Sequence, residues 1–272
     1  MDHYAVMGNP VAHSKSPQIH SLFAAQTRQD MEYRAILVEH GGLADAVATF
    51  ASGGGRGLNI TVPFKEDAWT LAAQRSARAE RAGAVNTLVL HENGEHFGDN
   101  TDGTGLVRDL RANHGATLQH ARLLLVGAGG AARGVIAPLL QERPALLVIA
   151  NRTKGKAVEL ARVFCDLGHV EGSGLPDLEG QPFDIIINAT AASMLGEVPA
   201  LPGSIVTSQS WCYDMMYGDQ PTAFMDWSLT RGAARALDGL GMLVEQAAES
   251  FYLWREVRPD TTPVIAALRK PR

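Results

Sequence analysis

Two hydrophobic rhythms alternate along most of the chain. Short aliphatic and β-branched runs predict buried strands, and longer stretches with apolar residues at helical spacing predict the helices between them. The first part reads as strand Tyr4–Met7, helix Pro17–Gln26, strand Glu32–Leu37, helix Leu43–Ser52, strand Gly57–Val62, helix Phe64–Gln74 and strand Asn86–Leu90. Asn93-Gly94 favours a hairpin turn into Glu95–Gly98, because both residues tolerate the positive φ of such a turn. A helix from Thr104 to about Asn113 opens a second series: strand Arg122–Val126, helix Ala131–Gln141, strand Leu146–Ala150, helix Gly155–Cys165 and strand Phe183–Asn188.

This alternation predicts an α/β chain with parallel sheets, since parallel strands need a crossover and a helix supplies it. The expected junction lies near Asp102–Thr104 and separates an N-terminal domain, 1–103, from a second domain, 104–238. Helical patterning after Gly241, through Phe251 and Trp254, does not continue the series. Residues 239–272 are therefore expected to complete the first domain, giving a two-lobed molecule with a cleft.

Composition narrows the function. A length of 272 residues with 46% hydrophobic and 19% charged positions suits a folded enzyme of one large or two modest domains. With 24 Lys+Arg against 29 Asp+Glu, the net charge of −5 provides no field for a phosphate backbone, so no nucleic-acid partner is expected. No apolar run approaches the ~18 residues of a membrane span, and the first residues lack a signal-like pattern, so a cytoplasmic protein is expected. Cys165 and Cys212 are too few for a disulfide framework, and the nine His show no ligand spacing, so no metal is expected. His13 and His20 read as ordinary residues.

Gly127-Ala128-Gly129-Gly130-Ala131-Ala132 follows an apolar strand and opens a helix. This is the dinucleotide fingerprint: a tight turn at the first Gly, close approach of pyrophosphate at the second, and a small residue, Ala132, where helix meets strand. The next strand ends at Asn151-Arg152-Thr153, with Lys154 and Lys156 beyond and no acid for the ribose hydroxyls. A guanidinium and ammonium groups suit a phosphate there, which favours NADP over NAD.

On the substrate side, Ser14-Lys15-Ser16-Pro17 precedes an amphipathic helix, with Ser16 expected as N-cap and Pro17 as the first helical residue. Its hydroxyls, cation and free amides suit a carboxylate. Lys65 follows Thr61-Val62-Pro63-Phe64 at a helix start, where the dipole disfavours a cation. Asp99 and Asp102 lie in Gly98–Gly103, where either could be a turn or cap residue or a carboxylate that pairs with Lys65 and acts on a hydroxyl proton.

The chain resembles the shikimate dehydrogenase family over nearly its whole length. The resemblance is carried by Tyr4–Pro17, Asn59–Glu66, Gly83–Thr87, Gly98–Gly105, Gly127–Gly134, Asn151–Thr153, Asn188–Thr190, Tyr213–Tyr217 and Asp238–Ala248. It implies a two-lobed α/β enzyme that reversibly reduces 3-dehydroshikimate to shikimate with NADPH, with a Rossmann domain for the cofactor. It further implies Lys65 and Asp102 as the catalytic pair and Ser14 and Ser16 on the substrate carboxylate. Thr61, Asn86, Tyr217 and Gln246 would surround the ring, and Met215, Gly239 and Met242 would line the nicotinamide pocket. Gly127, Ala128, Gly129, Gly130, Ala131, Asn151, Arg152, Thr153 and Lys156 complete the expected cofactor contacts.

Two departures stand out. After Asn188-Ala189-Thr190 the family commonly continues with serine and glycine, whereas this chain has Ala191-Ala192-Ser193-Met194. The acidic residue that some members carry around Ala77 is absent. The partners expected are the small-molecule substrate and, at most, a second copy: a monomer or homodimer. The competing readings are a quinate/shikimate dehydrogenase and a non-catalytic NADP-sensing regulator.

Overall fold

A computed structural model describes residues 1–269, which form two compact units. The first comprises Met1–Gly105 and the chain from Val244 onward; the second is Leu106–Leu243.

In the first unit the order is β1 (Asp2–Gly8), α1 (Ser16–Thr27), β2 (Met31–Leu37), α2 (Leu43–Ser52), β3 (Gly55–Ile60), α3 (Lys65–Leu71), β4 (Gln74–Arg75), α4 (Ala77–Ala82), β5 (Thr87–Val89) and β6 (Phe97–Asp99), and α5 (Asp102–Arg108) begins in this unit and ends in the second. The six strands form one sheet, β2-β1-β3-β5-β6-β4. Strands β1, β2 and β3 are parallel, β5 runs antiparallel to β3, and β6 antiparallel to β5. The sheet is thus mixed, with Gly94 at φ +81° in the expected hairpin. Because β5 reverses, its beginning lies level with the end of β3: Asn59 pairs with Thr87, and Thr87 with Asp99. One sheet edge therefore gathers the segments after β1, after β3, before β5 and after β6.

Local chemistry moves several boundaries. Helix α1 starts at Ser16, and Lys15, with helical dihedrals, holds the cap position, so Ser16 is not the N-cap. Its amide instead donates to Ser14 Oγ at 3.3 Å. Helix α3 stops at Leu71 rather than near Gln74. Arg75 Nη1 donates to the carbonyls of Trp69 and Ala72, satisfying its last turn, and Gln74–Arg75 pair with β6. Helix α4 was not legible in the pattern; its Ser76 cap accepts the Ala79 amide at 3.2 Å and Gly83, at φ +62°, ends it.

The second unit runs β7 (Arg122–Val126), α6 (Gly130–Gln141), β8 (Leu146–Asn151), α7 (Lys154–Phe164), β9 (Val170–Gly174), β10 (Ile185–Asn188), β11 (Trp211–Asp214), α8 (Ala223–Thr230) and β12 (Arg235–Leu237). All its strand pairs are parallel, in the order β12-β11-β10-β7-β8-β9. Renumbered within the unit this is 3-2-1-4-5-6 read from the β9 edge, the doubly wound Rossmann order, with its switch point between β7 and β10. Leu123, Leu124, Leu125 and Val126 are almost wholly buried between the helical layers, each leucine contributing about 1.5–3 kcal/mol of burial.

Helix α9 (Leu240–Arg255) begins in the second unit and ends in the first, followed by α10 (Thr262–Leu268). In the first unit Trp254 Nε1 donates to the Leu88 carbonyl at 3.0 Å, and its ring lies 4.8 Å from that of Tyr4. Gly57 permits this contact, since a Cβ there would stand 2.3 Å from Trp254 Nε1. Arg255 bonds Asp2 and reaches Gln29 Oε1 at 2.7 Å.

Candidate active site

The edge of the first sheet carries a lysine–aspartate pair. Lys65, the first residue of α3, places Nζ 2.5 Å from Asp102 Oδ2, and Asp102, the first residue of α5, takes a second hydrogen bond at Oδ1 from Asn86 Nδ2 at 2.8 Å. The Lys65 side chain is 18% exposed and that of Asp102 8%. Such shielding strengthens their attraction while leaving a face open to a substrate. Lys65 is held from behind as well, its carbonyl accepting the Val85 amide at 2.8 Å.

Asn86 organises the surroundings. Its Nδ2 also lies 2.9 Å from Thr101 Oγ1 and 3.2 Å from Gln246 Oε1 of α9, while its Oδ1 accepts the Thr101 amide and the Thr87 hydroxyl at 2.9 Å each. Asn86 and Gln246 are both buried. Beneath them Asn59 Nδ2 donates to Thr87 Oγ1 and Ser250 Oγ, and its Oδ1 accepts the Tyr33 hydroxyl at 2.7 Å. Tyr33 also contacts the Ser16 hydroxyl, so Ser16 joins the same network. Ser14 is attached through the Ser16 amide. Thr61 follows β3, its amide on the Met7 carbonyl and its methyl where a Cβ on Gly8 would fall.

Tyr33, Asn59, Thr87, Thr101 and Ser250 escaped the sequence reading. The available signal was Asn59, an amide set between Leu58 and Ile60 in a strand expected from the sequence. Burial pushes the Tyr33 hydroxyl well above its usual range and the His20 imidazole, stacked on the Tyr33 ring at 4.1 Å, down to about 3, with Asn59 offsetting only part of the shift.

In the second unit the glycine turn sits at the switch point. Gly127 has φ +115° and donates to the Ala150 carbonyl, and a Cβ on it would lie 3.1 Å from the Ala189 carbonyl oxygen. Only glycine fits there. Gly129 and Gly130 instead face open space, with nothing within 4 Å of where a Cβ would stand. The start of α6 has no side-chain cap. Open amides at a helix N-terminus fit a pyrophosphate. Ala128 and Ala131 flank this turn, both partly exposed, and Ala132 is buried against the sheet.

Beyond β8, Asn151 Nδ2 closes a turn on the Thr153 carbonyl at 3.1 Å. Arg152, Thr153 and Lys156 are exposed, and neither Arg152 nor Lys156 forms an ion pair among the described residues. These donors are of the kind that suit a ribose phosphate.

The family-implied nicotinamide residues also meet. A Cβ on Gly239 would stand 2.2 Å from the Met215 carbonyl oxygen, and Met242 is buried in the core cluster on which Met215 packs. Tyr217 follows in the loop after β11 and is partly exposed. Asp214 anchors this loop: its carboxylate, whose pKa burial raises, accepts Ser193 Oγ at 2.5 Å, Thr222 Oγ1 at 2.6 Å and Asn188 Nδ2 at 3.1 Å. In the departing segment the Ser193 hydroxyl is therefore taken up by Asp214.

Comparison with known proteins agrees with both units. Residues 6–88 match the shikimate dehydrogenase substrate binding domain, 109–196 the shikimate / quinate 5-dehydrogenase domain and 239–269 the shikimate 5'-dehydrogenase C-terminal domain. The chain is 58% identical over 269 residues to the shikimate dehydrogenase (NADP(+)) of Nitrosococcus oceani, covering 99% of this chain and 95% of that protein. An Ael1 enzyme from Pseudomonas putida superposes with a TM-score of 0.93 at 45% identity, covering 100% of this chain and 99% of the other. Shikimate 5-dehydrogenase from Thermus thermophilus, in complex with NADP(H) and shikimate, superposes with a TM-score of 0.87 at 31% identity, covering 99% of each chain. With a lysine–aspartate pair on one sheet edge, a glycine turn at a Rossmann switch point and this extent of likeness, the chain belongs to the shikimate dehydrogenase family.

Proposed function

We propose that the protein catalyses the reversible reduction of 3-dehydroshikimate to shikimate with NADPH, a step toward the aromatic amino acids. The observation that carries this reading is the Lys65–Asp102 pair, bonded at 2.5 Å and steadied by Asn86. When bound, NADPH supplies a hydride to the carbonyl carbon. Lys65 donates a proton to the carbonyl oxygen as negative charge develops there, and takes it back in the oxidation. Asp102 holds the ammonium in place and accepts from a substrate hydroxyl. Thr61, Asn86, Gln246 and Tyr217 orient the ring and its hydroxyls, while Ser14 and Ser16 receive the carboxylate beside the start of α1.

Met215, Gly239 and Met242 serve the nicotinamide, and the phosphate of NADP is read by Arg152 with Thr153 and Lys156. No helix among the described residues is long and apolar enough to cross a membrane, and both cysteines are free. A cytoplasmic location and a monomeric or homodimeric state belong to the same proposal. Purified protein given shikimate and NADP, with quinate and NAD as controls, tests the assignment through the absorbance of reduced nicotinamide. Reduction with quinate and NAD alone would replace this reading with a quinate dehydrogenase, and no reduction with any pair would support a sensor.

A further inference from the structure

Three residues before Asp102 and two after it, the chain is gripped by the same side chain. Arg78 of α4 donates from Nε to Asp99 Oδ1 at 2.7 Å, from Nη2 to Asp99 Oδ2 at 2.5 Å, and from Nη1 to Thr104 Oγ1 at 2.7 Å. We infer that Arg78 is a positioning residue for Asp102, fixing the turn that presents its carboxylate; this rests on the assignment of Asp102 to the catalytic pair.

The guanidinium is planar, with its donors in a fixed fork. Holding Asp99 at one side and Thr104 at the other, it sets the separation between the end of β6 and the first turn of α5. Asp99 is itself almost fully enclosed, and its Oδ1 also accepts Ser76 Oγ at 2.5 Å and the Asn100 amide at 2.7 Å. Asn100 passes the constraint on: its Oδ1 accepts the Asp102 amide at 3.2 Å and its Nδ2 donates to the Ala84 carbonyl at 3.0 Å.

A second tie reaches α9. Arg78 Nη2 lies 3.4 Å from Glu249 Oε1, and Arg258 holds the other oxygen of Glu249 at 2.7 Å. Glu249 stands one turn beyond Gln246, which bonds Asn86. Arg78 thus sets both the strand–helix turn bearing Asp102 and the helix bearing Gln246. Enclosed ion pairs add little net stability compared with apolar packing, because desolvation offsets their attraction. Their fixed geometry is a better account of this one. A lysine at the position has one ammonium and no fork, and cannot hold Asp99 through two atoms while reaching Thr104.

The test compares Arg78→Met, Arg78→Lys, Thr104→Val and Thr104→Ser by steady-state kinetics, thermal unfolding and NADP binding. Misplacing a reacting group by about 1 Å can cost about a hundredfold. Arg78→Met is expected to lower kcat roughly 10- to 100-fold while the Kd for NADP stays within about twofold, because Arg78 and its partners lie in the first unit. Arg78→Lys should recover little. Thr104→Val, which removes one arm of the grip, should lower kcat by about threefold or more at an unchanged Tm, and Thr104→Ser should restore it. A folded Arg78→Met enzyme with wild-type kcat overturns the inference. Should Arg78→Met fail to fold, equal and undiminished kcat in the two Thr104 variants overturns it. A wild-type enzyme inactive with every pairing of shikimate or quinate with NADP or NAD overturns the assignment of Asp102, and the inference with it.

Discussion

Lys154 Nζ lies 2.9 Å from Asp177 Oδ2, so one of the three cations beyond β8 already has its counter-charge. The lysine holds the Asp177 carboxyl below the usual carboxylate range. Arg152 and Lys156 have no such partner among the described residues. Selectivity for NADP should therefore rest on Arg152 more than on Lys154. A charge-assisted hydrogen bond contributes roughly 1.5–3 kcal/mol, or about 10- to 100-fold in efficiency. Arg152→Ala is expected to lower kcat/KM with NADP by that factor and leave NAD almost unchanged, whereas Lys154→Ala should alter either cofactor only slightly. Equal losses for NADP and NAD in the Arg152 variant would make the arginine structural.

Removal of the Lys65 ammonium should cost kcat about 10²–10⁴-fold, the usual worth of a general acid, with NADP affinity retained. Asp102→Asn should also lower kcat, and because its carboxylate accepts a substrate hydroxyl in the proposed pose, KM for shikimate should rise as well. Rapid turnover by Lys65→Ala would show that the proton comes from elsewhere.

The two serines should behave differently from this pair. A carboxylate remote from the reacting carbon is bound alike in the ground and transition states, so Ser14→Ala and Ser16→Ala should raise KM for shikimate more than they lower kcat. A substrate analogue lacking the carboxylate should be indifferent to either change. If the analogue is just as sensitive, the serines serve the helix start alone.

His20 makes stability depend on pH. Its imidazole is pushed down to about 3 by burial, from an ordinary value of 6.5. Between pH 6.5 and about 3 the unfolded chain binds a proton at this position and the folded chain does not. Folding stability should consequently decline as pH falls through that window, by up to about 1.4 kcal/mol per unit from this residue. His20→Phe, which keeps a ring against Tyr33, should flatten that part of the profile in denaturant titrations. An identical slope in both proteins would assign the acid sensitivity to other groups.

The sequence made the strand–helix alternation and the glycine turn plain, because burial on both faces gives Leu123–Val126 and Leu146–Ala150 continuous apolar runs. Where strands are short or polar the pattern fails. β9, Val170–Gly174, contains two glycines and a glutamate, and β12 contains only three residues. Their place comes from neighbouring strands, not from their own hydrophobicity. The same holds for the site. Lys65 stood out against the dipole of its own helix, but the packing that brings Asn86 to Gln246 joins residues 160 positions apart. No local spacing encodes that meeting.

Helix α9 has a consequence for how the chain is made. The Arg255–Asp2 bond spans 253 residues, and Trp254 reaches both Tyr4 and the Leu88 carbonyl, so the first unit lacks one of its walls until the C-terminal segment has been synthesised. The second unit, by contrast, is a continuous stretch from Leu106 to Leu243. Domains fold as units as they emerge from the ribosome. The second unit can therefore close while translation is under way, whereas the unit bearing Lys65 and Asp102 must wait until Trp254 and Arg255 have been made, and a chain cut short before them holds a Rossmann fold without its chemical partner.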